Sequence, residues 1–524
     1  MNNQQHVIDF LADPATHGLE SGETVARQET HVSHIFLAGD RVYKLKKQVR
    51  FPYLDFSTLE DRRRACETEI AINRRTAPDI YLGTVAVTDE GDGCLALGGE
   101  GEPVEWLVEM RRFADGDLFT HLADAGALNR RLMEGLAESI HAFHDGAEVT
   151  PEFGGAAGTL TIIDNNDASF RAAQGDLFAA SDIDELTDGS RALHARLAEH
   201  LDARRAGGRV RHCHGDLHLA NICLYEGQAT LFDAIEFNEA FSRIDVLYDL
   251  AFLLMDLDLR GHRRLASFVL NRYLDCVPTM ENAGPPGDLA GLALMPLFLS
   301  MRAAVRAHVG ASQAAALTDR TEAHRRAARA RDYFFRAIDY LRPPPPVLVA
   351  VGGLSGSGKS RLAREIAPHL GAAPGARVVR TDAQRKRLAG IGLLDRLPPE
   401  SYTPEASAKT YAACHDEARA ALAAGQSVVF DAVSARPEER AAIEALAGEM
   451  NVPFLGLWVD APLAVRLERV ETRKNNVSDA GAEVARRQEE MDIGEIGWTV
   501  IDSSGARKNT VAGALALIRD QGLA

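Results

Sequence analysis

The stretch "HIFLAGDRVYKLKK", residues 34–47, is an apolar run, a break at Gly39-Asp40, then alternating polar and apolar positions. That pattern predicts two short strands around a tight turn. "STLEDRRRACETEIAINRRTA", 57–77, changes to helical spacing, with Ser57 where an N-cap belongs. "GTVAVT", "GCLALGG" and "EWLVEMRRF" return to strand patterns, so residues 30–113 read as β-rich around one helix. From 117 to 342 the pattern is mostly helical, apart from 210–237. "QAAALTDRTEAHRRAARARDYFFRAIDYL", with apolar residues three and four apart, closes this part. "LRPPPPVL", 341–348, cannot continue a helix and forms a short stiff spacer. "ENAGPPGDL", 281–289, is a weaker break and reads as a loop. Beyond the prolines, apolar runs at about 347–352, 377–381, 427–431, 454–459 and 498–502 alternate with helical stretches. They predict a five-stranded parallel sheet.

A chain of 524 residues is too long for one ordinary core. The pattern divides it into a domain over 1–342, a proline linker at 343–346 and a second domain over 347–524. The first splits into a small lobe, about 1–113, and a helical lobe, about 114–342. The longest apolar patches, such as "LALMPLFL", are short for a membrane span, and "MNNQQHVIDFLADP" has the features of no secretory signal. The six cysteines are scattered and form no C-x-x-C, which suits reduced thiols, so a cytoplasmic protein without a membrane partner is expected. From Pro343 onward 22 basic residues face 23 acidic ones, so nearly all of the net charge of −17 lies before it. That acidity disfavours nucleic acid and favours neutral or cationic small ligands, although solubility alone would also account for it.

Two stretches carry chemistry. "VGGLSGSGKS", 351–360, follows an apolar run and precedes a helical pattern, the context of a phosphate-binding loop. Backbone N–H groups from Gly353 through Ser355, Gly356, Ser357 and Gly358 would cradle phosphates, Lys359 would meet the β/γ oxygens and Ser360 would ligate Mg²⁺. "RVVRTDAQR" ends a strand at Asp382, with Arg385 one helical turn on, and "SVVFD" ends another at Asp431. Carboxylates at strand C-termini sit where open α/β sheets bind ligands. One would serve an acceptor hydroxyl and the other the metal. Arg466, Arg469 and Arg473 share a helix face, as a phosphate-facing lid requires or as a solvated face allows.

The other stretch is "HGDLHLAN", 214–221, where Asp216 and Asn221 have the spacing of a kinase catalytic loop, followed by Asp233 in "ATLFDA". Upstream, Lys44 and Lys46 share a strand face. Lys44 is favoured for the phosphates because Val42 and Tyr43 lead into it. Of Glu67 and Glu69 on the helix, Glu69 is favoured as its partner.

In this order these residues resemble the aminoglycoside phosphotransferase and choline kinase group, over residues from about 30 to 340. The resemblance implies that Asp216 is the catalytic base, that Asn221 and Asp233 bind Mg²⁺, and that Lys44 contacts the phosphates. It also makes Asp249 a structural residue orienting the catalytic loop. "THVSHIFL" departs from a glycine-rich loop, so Ser33 and neighbouring amides would cover the phosphates. Residues 347–524 resemble the small P-loop kinases, including polynucleotide kinase and zeta-toxin-like enzymes, where D-x-x-R serves the acceptor hydroxyl. Here that is Asp382 to Arg385. The two resemblances together match a bacterial family of fused proteins. The expectation is an ATP- and Mg²⁺-dependent phosphotransferase with two nucleotide sites acting on hydroxyls of small molecules. The rival is a single kinase regulated by a P-loop ATPase or nucleotide sensor. A nucleic-acid end kinase is the third reading, opposed by the charge.

Overall fold

The computed structural model describes residues 4–30, 32–51, 54–173, 175, 177–277, 287–472 and 477–523. Contacts divide the chain into two compact units, Met1–Phe153 with Val210–Asp249, and Gly154–Arg209 with Leu250–Ala524.

The first unit is built on a six-stranded antiparallel sheet. Its strands are β1 (Ala26–Glu29), β2 (Ser33–Ala38), β3 (Arg41–Lys46), β4 (Tyr81–Asp89), β5 (Leu95–Leu97) and β6 (Glu102–Arg111), in the order β1-β2-β3-β6-β4-β5. Alternation along β3 sends Tyr43 and Leu45 to one face, where they meet Val7, Ile8 and Leu11 of helix α1 (Gln5–Ala12). The opposite face, carrying Val42, Val108 and Met110, packs on Cys66 and Ile70 of helix α2 (Leu59–Asn73). Lys44 and Lys46 lie on the α2 face by the same alternation.

The N-cap of α2 is Thr58, whose Oγ1 accepts from the Asp61 amide at 3.1 Å, and not the expected Ser57. Asp55 captures both the amide and the hydroxyl of Ser57 in a local turn, so the helix starts one residue later. The unit also holds helix α3 (Arg130–Gly146) and the antiparallel pairs β7 (Val210–His212) with β10 (Arg243–Asp245), and β8 (Ile222–Tyr225) with β9 (Gln228–Leu231).

The second unit contains helices α4 (Gly155–Ala172), α5 (Ala180–Ala206), most of α6 (Val246–Leu259), α7 (Arg263–Cys276), α8 (Met295–Ala315) and α9 (Arg320–Tyr340). Phe170 stands edge-on to Phe178 and Phe334, with centroids 5.0 and 4.9 Å away. The stretch Asp288–Ala315 is long and apolar enough to cross a membrane, contrary to the sequence expectation, but 78% of its most apolar window is buried inside the protein. Within it Arg302 lies 4.6 Å over the Phe252 ring, which places a cation inside a helical core. The loop expected at 281–289 falls largely outside the described residues.

After the exposed run Pro343–Pro345 comes the expected parallel sheet. Its strands are β11 (Leu348–Gly352), β12 (Arg377–Arg380), β13 (Val428–Asp431), β14 (Phe454–Asp460) and β15 (Thr499–Asp502), in the order β12-β13-β11-β14-β15. All four pairings are parallel. Helices α10 (Lys359–Ile366), α11 (Thr381–Leu388), α12 (Pro404–Ala423), α13 (Pro437–Glu449), α14 (Leu463–Glu471), α15 (Ala482–Glu489) and α16 (Arg507–Asp520) intervene or follow. Strand β12 ends at Arg380, its last pairing with β13, and α11 begins at once. Asp382 therefore lies in the first helical turn instead of at the strand end.

Edge strand β12 is closed by a side chain. Asn271 of α7 accepts from the Val378 amide at 2.7 Å and donates to the Ala376 carbonyl at 3.1 Å, in place of a neighbouring strand. Beside it, the buried Arg377 guanidinium bonds Asp275 at 2.5 Å and Glu417 at 2.6 Å. Removing one partner of a buried ionic network strands the others, at a cost of about 3–5 kcal/mol. Arg377→Met should therefore lower the urea midpoint of this unit by the equivalent of that amount. A change below about 1 kcal/mol would show that the network is dispensable.

Candidate active sites

In the first unit Lys44 Nζ lies 2.7 Å from Glu69 Oε1 and 2.5 Å from Asp233 Oδ1. Glu69 is the helix partner, whereas Glu67 pairs with Arg63 on the exposed side. Burial works against the Lys44 charge, but Asp233 and then Glu69 raise its pKa well above the ordinary lysine value. Burial likewise opposes ionisation of Glu69, and the two lysines Lys44 and Lys46 hold it below the carboxylate range. Lys46 pairs with the second oxygen of Glu69 and with Glu236.

Asp233 is 42% exposed and held in a left-handed conformation, φ 61°. Tyr81 and Asn73 pin that turn: the Asp233 amide donates to the Tyr81 hydroxyl at 3.1 Å, and the Ala234 amide to Asn73 Oδ1 at 2.9 Å. A non-glycine residue at such a φ is strained unless its surroundings fix it, and this one carries a carboxylate to the surface beside Lys44.

The catalytic-loop candidates also come together. Asn221 Nδ2 donates to the Asp216 carbonyl at 2.9 Å and to Asp216 Oδ2 at 2.8 Å. His218 Nδ1 accepts from the Ala220 amide at 3.2 Å, which leaves the ring N–H on Nε2, 3.3 Å from Asp216 Oδ2. Asp249 takes the His214 and Gly215 amides at 3.0 and 2.9 Å and His144 Nε2 at 3.1 Å. It orients the loop as expected. Cys213 lies near enough to His144 and Asp249 to suggest a metal cage, but both Asp249 oxygens already serve backbone amides. Ser33 begins β2 fully buried, and its hydroxyl has no hydrogen-bond partner among the described residues.

In the second unit the phosphate loop joins β11 to α10. At Gly353, φ 140°, a Cβ would come within 2.4 Å of the Val459 carbonyl oxygen. At Gly356, φ 88°, one would come within 2.5 Å of the Arg466 carbonyl oxygen. Both need glycine on steric and conformational grounds. Gly358 caps α10, which Lys359 opens. Ser360 Oγ lies 3.1 Å from Asp431 Oδ1, and Arg380 Nε lies 3.2 Å from Asp431 Oδ2. The Ser355 amide donates to Gln488 at 2.7 Å, and the Ser357 hydroxyl is buried without a partner among the described residues.

Asp382 is partly exposed beside this sheet edge. Arg385 donates to the Ser401 carbonyl at 2.6 Å and lies 5.0 Å over the Tyr402 ring. Lys386 and Tyr402 both reach Asp479, at 3.0 and 2.8 Å. Arg469 donates to the Ser357 carbonyl at 3.2 Å and to that of Ser503 at 2.5 Å. Arg466 is buried, bonding the Ala461 carbonyl at 3.1 Å and pairing with Glu489. Both adjoin the phosphate loop through protein contacts, and Arg473 lies outside the described residues. Sequence reasoning missed Glu236, Tyr81, Asn73, His218, Arg380 and Asp479. His218, Glu236 and Arg380 sit within three residues of a motif residue and Asn73 one helical turn after Glu69, whereas Tyr81 and Asp479 lie apart from every motif.

A lysine–glutamate–aspartate cluster with an H-G-D-x-x-x-x-N loop is followed by a P-loop on a parallel sheet. Both are arrangements that bind phosphate groups, one in each unit. Residues 348–491 match the AAA domain family. The chain is 30% identical over 510 residues to an uncharacterized protein of Mycobacterium tuberculosis, covering 94% of this chain and 95% of that protein. It belongs to the same family as that protein. An adenylyl-sulfate kinase of Myxococcus xanthus is 32% identical over 118 residues, 22% of this chain and 59% of that protein. Among solved structures, a choline/ethanolamine kinase family protein from Mesorhizobium loti is 14% identical, with a TM-score of 0.34. It covers 65% of this chain and 99% of that one.

Proposed function

We propose that the chain is a phosphotransferase with two sites for Mg²⁺ and ATP, one in residues 1–342 and one in 347–524, each acting on a hydroxyl of a small molecule. The observation that carries the reading is Lys44 held jointly by Glu69 and Asp233. A lysine so placed exchanges Asp233 for phosphate oxygens when a nucleotide enters, and frees that carboxylate for a metal. Asp233 fits a divalent ion by its exposure and by the surplus of carboxylates around it. Asn221 spends its amide N–H groups on Asp216, which leaves its carbonyl oxygen for the same ion. Ser360 and Asp431 fit a second ion. The ion's contribution is to neutralise charge on the β- and γ-phosphates.

At the first site Asp216 takes the acceptor hydroxyl proton as the new O–P bond forms and the bond from the γ-phosphorus to the β–γ bridging oxygen breaks, releasing ADP. At the second, Asp382 takes that role, with Arg385 steadying the acceptor. The acidic first part suits neutral or cationic acceptors, and the free cysteines suit a cytoplasmic setting.

The test is stoichiometry. Calorimetry with Mg·ATP should give two sites per chain and one in Lys359→Ala. Saturation of the wild type at one nucleotide, or complete loss in Lys359→Ala, overturns the two-site reading. A regulatory reading draws on Arg377, which ties helix α7 to the strand leading into Asp382. In it the P-loop domain hydrolyses or senses ATP and governs a single kinase. ADP release that needs no acceptor would favour that reading.

A further inference from the structure

The second lysine of β3 has no part in the reaction described above, yet it is the more deeply buried of the two. The Lys46 side chain is 1% exposed, although a lysine at a strand end ordinarily reaches solvent. Its ammonium group meets Glu69 Oε2, Glu236 Oε1 and, at 5.4 Å, the Phe56 ring. Its backbone is pinned as well, since the Lys46 carbonyl accepts from Gln4 Nε2 at 2.9 Å. Gln4 also bonds Glu105, which pairs with Arg62 of α2.

Glu69 thus divides its oxygens, Oε1 to Lys44 and Oε2 to Lys46. The two bonds differ in what a nucleotide does to them. Lys44 has a surface-facing partner in Asp233 that phosphate and metal would replace. Lys46 and Glu236 are enclosed, so nothing that enters the site competes for them. Glu69 is wholly buried, and an oxygen left without a cation there would be costly enough to move the side chain or protonate it. Glu236 lies three residues after Asp233, so the Lys46 bridge also joins α2 to the segment that carries the metal-binding carboxylate.

We propose that Lys46 is a positioning residue of the first site: with Glu236 it fixes Glu69, so that Glu69 holds Lys44 in place while Lys44 exchanges Asp233 for nucleotide phosphate. The proposal rests on the nucleotide reading of that site. It predicts that Lys46 acts on the nucleotide only through Lys44, which a merely structural lysine would not do.

The test is a double-mutant cycle on Mg·ATP affinity in the full-length chain, in a Lys359→Ala background so that only the first site reports. Lys44→Met and Lys46→Met should each weaken binding by about tenfold, and the double variant by no more than Lys44→Met alone. Unchanged affinity in Lys46→Met with a lowered melting temperature, or effects that multiply, overturns the proposal and leaves the nucleotide reading standing. Absence of binding in the Lys359→Ala parent overturns both. Should Lys46→Met fail to fold, Glu236→Gln retains shape and a hydrogen-bond acceptor but removes the charge. It should weaken binding by about threefold with Lys44 intact and not at all with Lys44→Met. An equal effect in both backgrounds counts against the proposal.

Discussion

Asp216→Asn should slow phosphoryl transfer at the first site by about 10²–10⁴-fold, the usual contribution of a general base, while Mg·ATP affinity stays within about threefold. The separation follows from the geometry. Asp216 Oδ2 is held by Asn221 at 2.8 Å and approached by His218, whereas Lys44 and Asp233 form their own pair. An asparagine keeps the shape and an acceptor oxygen for Asn221, but it cannot take the hydroxyl proton. Asp233→Asn should behave oppositely, weakening Mg·ATP itself, because that carboxylate is the surface-facing partner that Lys44 gives up. The measurement is transfer of labelled phosphate to a fractionated metabolite pool, alongside calorimetry, in the Lys359→Ala background. Loss of binding with residual transfer unaffected would reverse the two assignments.

What could be read from the sequence follows physical regularity. Strand alternation placed Lys44 and Lys46 on one face, and a strand–glycine–helix context located the phosphate loop before any coordinates. Five apolar runs between helices are enough to specify a parallel sheet, since such strands are buried on both faces. Val42 and Tyr43 leading into Lys44 favour it over Lys46, and Lys44 is the lysine that meets both Glu69 Oε1 and Asp233. Lys46 could not be given a role in the same way, because its partner Glu236 is 190 residues away and no periodicity connects them. Asn271 and Arg377 are 106 residues apart, and contacts of that kind depend on tertiary packing, which leaves no local signature. The arginines of α14 show the limit of spacing arguments. Three- and four-residue steps place Arg466 and Arg469 on one face of a helix, but not which way the face points. It points inward, to Ala461, Glu489 and the carbonyls of Ser357 and Ser503. Ser57 failed as a cap for a related reason, since Asp55 competes locally for its hydrogen bonds.

In the P-loop domain the decisive result concerns Asp382. Asp382→Asn should abolish acceptor-stimulated ADP release, by about 10²–10⁴-fold, and leave slow background hydrolysis in place. Asp431 already lies beside Ser360 and so suits the metal, while Asp382 stands one helical turn before Arg385, on the helix that follows the edge strand. Arg385 is anchored to the Ser401 carbonyl and stacked on Tyr402, a rigid placement for a group that must steady an acceptor. The experiment belongs in the full chain, because a cut at the prolines would remove Asn271 and Asp275 from Arg377 and disturb the strand that leads into Asp382. An Asp216→Asn background silences the first site, and ADP release is then followed with and without a metabolite extract. If Asp382 and Asp431 both served the metal in a simple ATPase, Asp382→Asn would depress hydrolysis with no acceptor present. Robust acceptor-independent turnover that vanishes in the variant would sink the second transfer site and make the P-loop domain a regulator acting through Arg377 on the helices beside it.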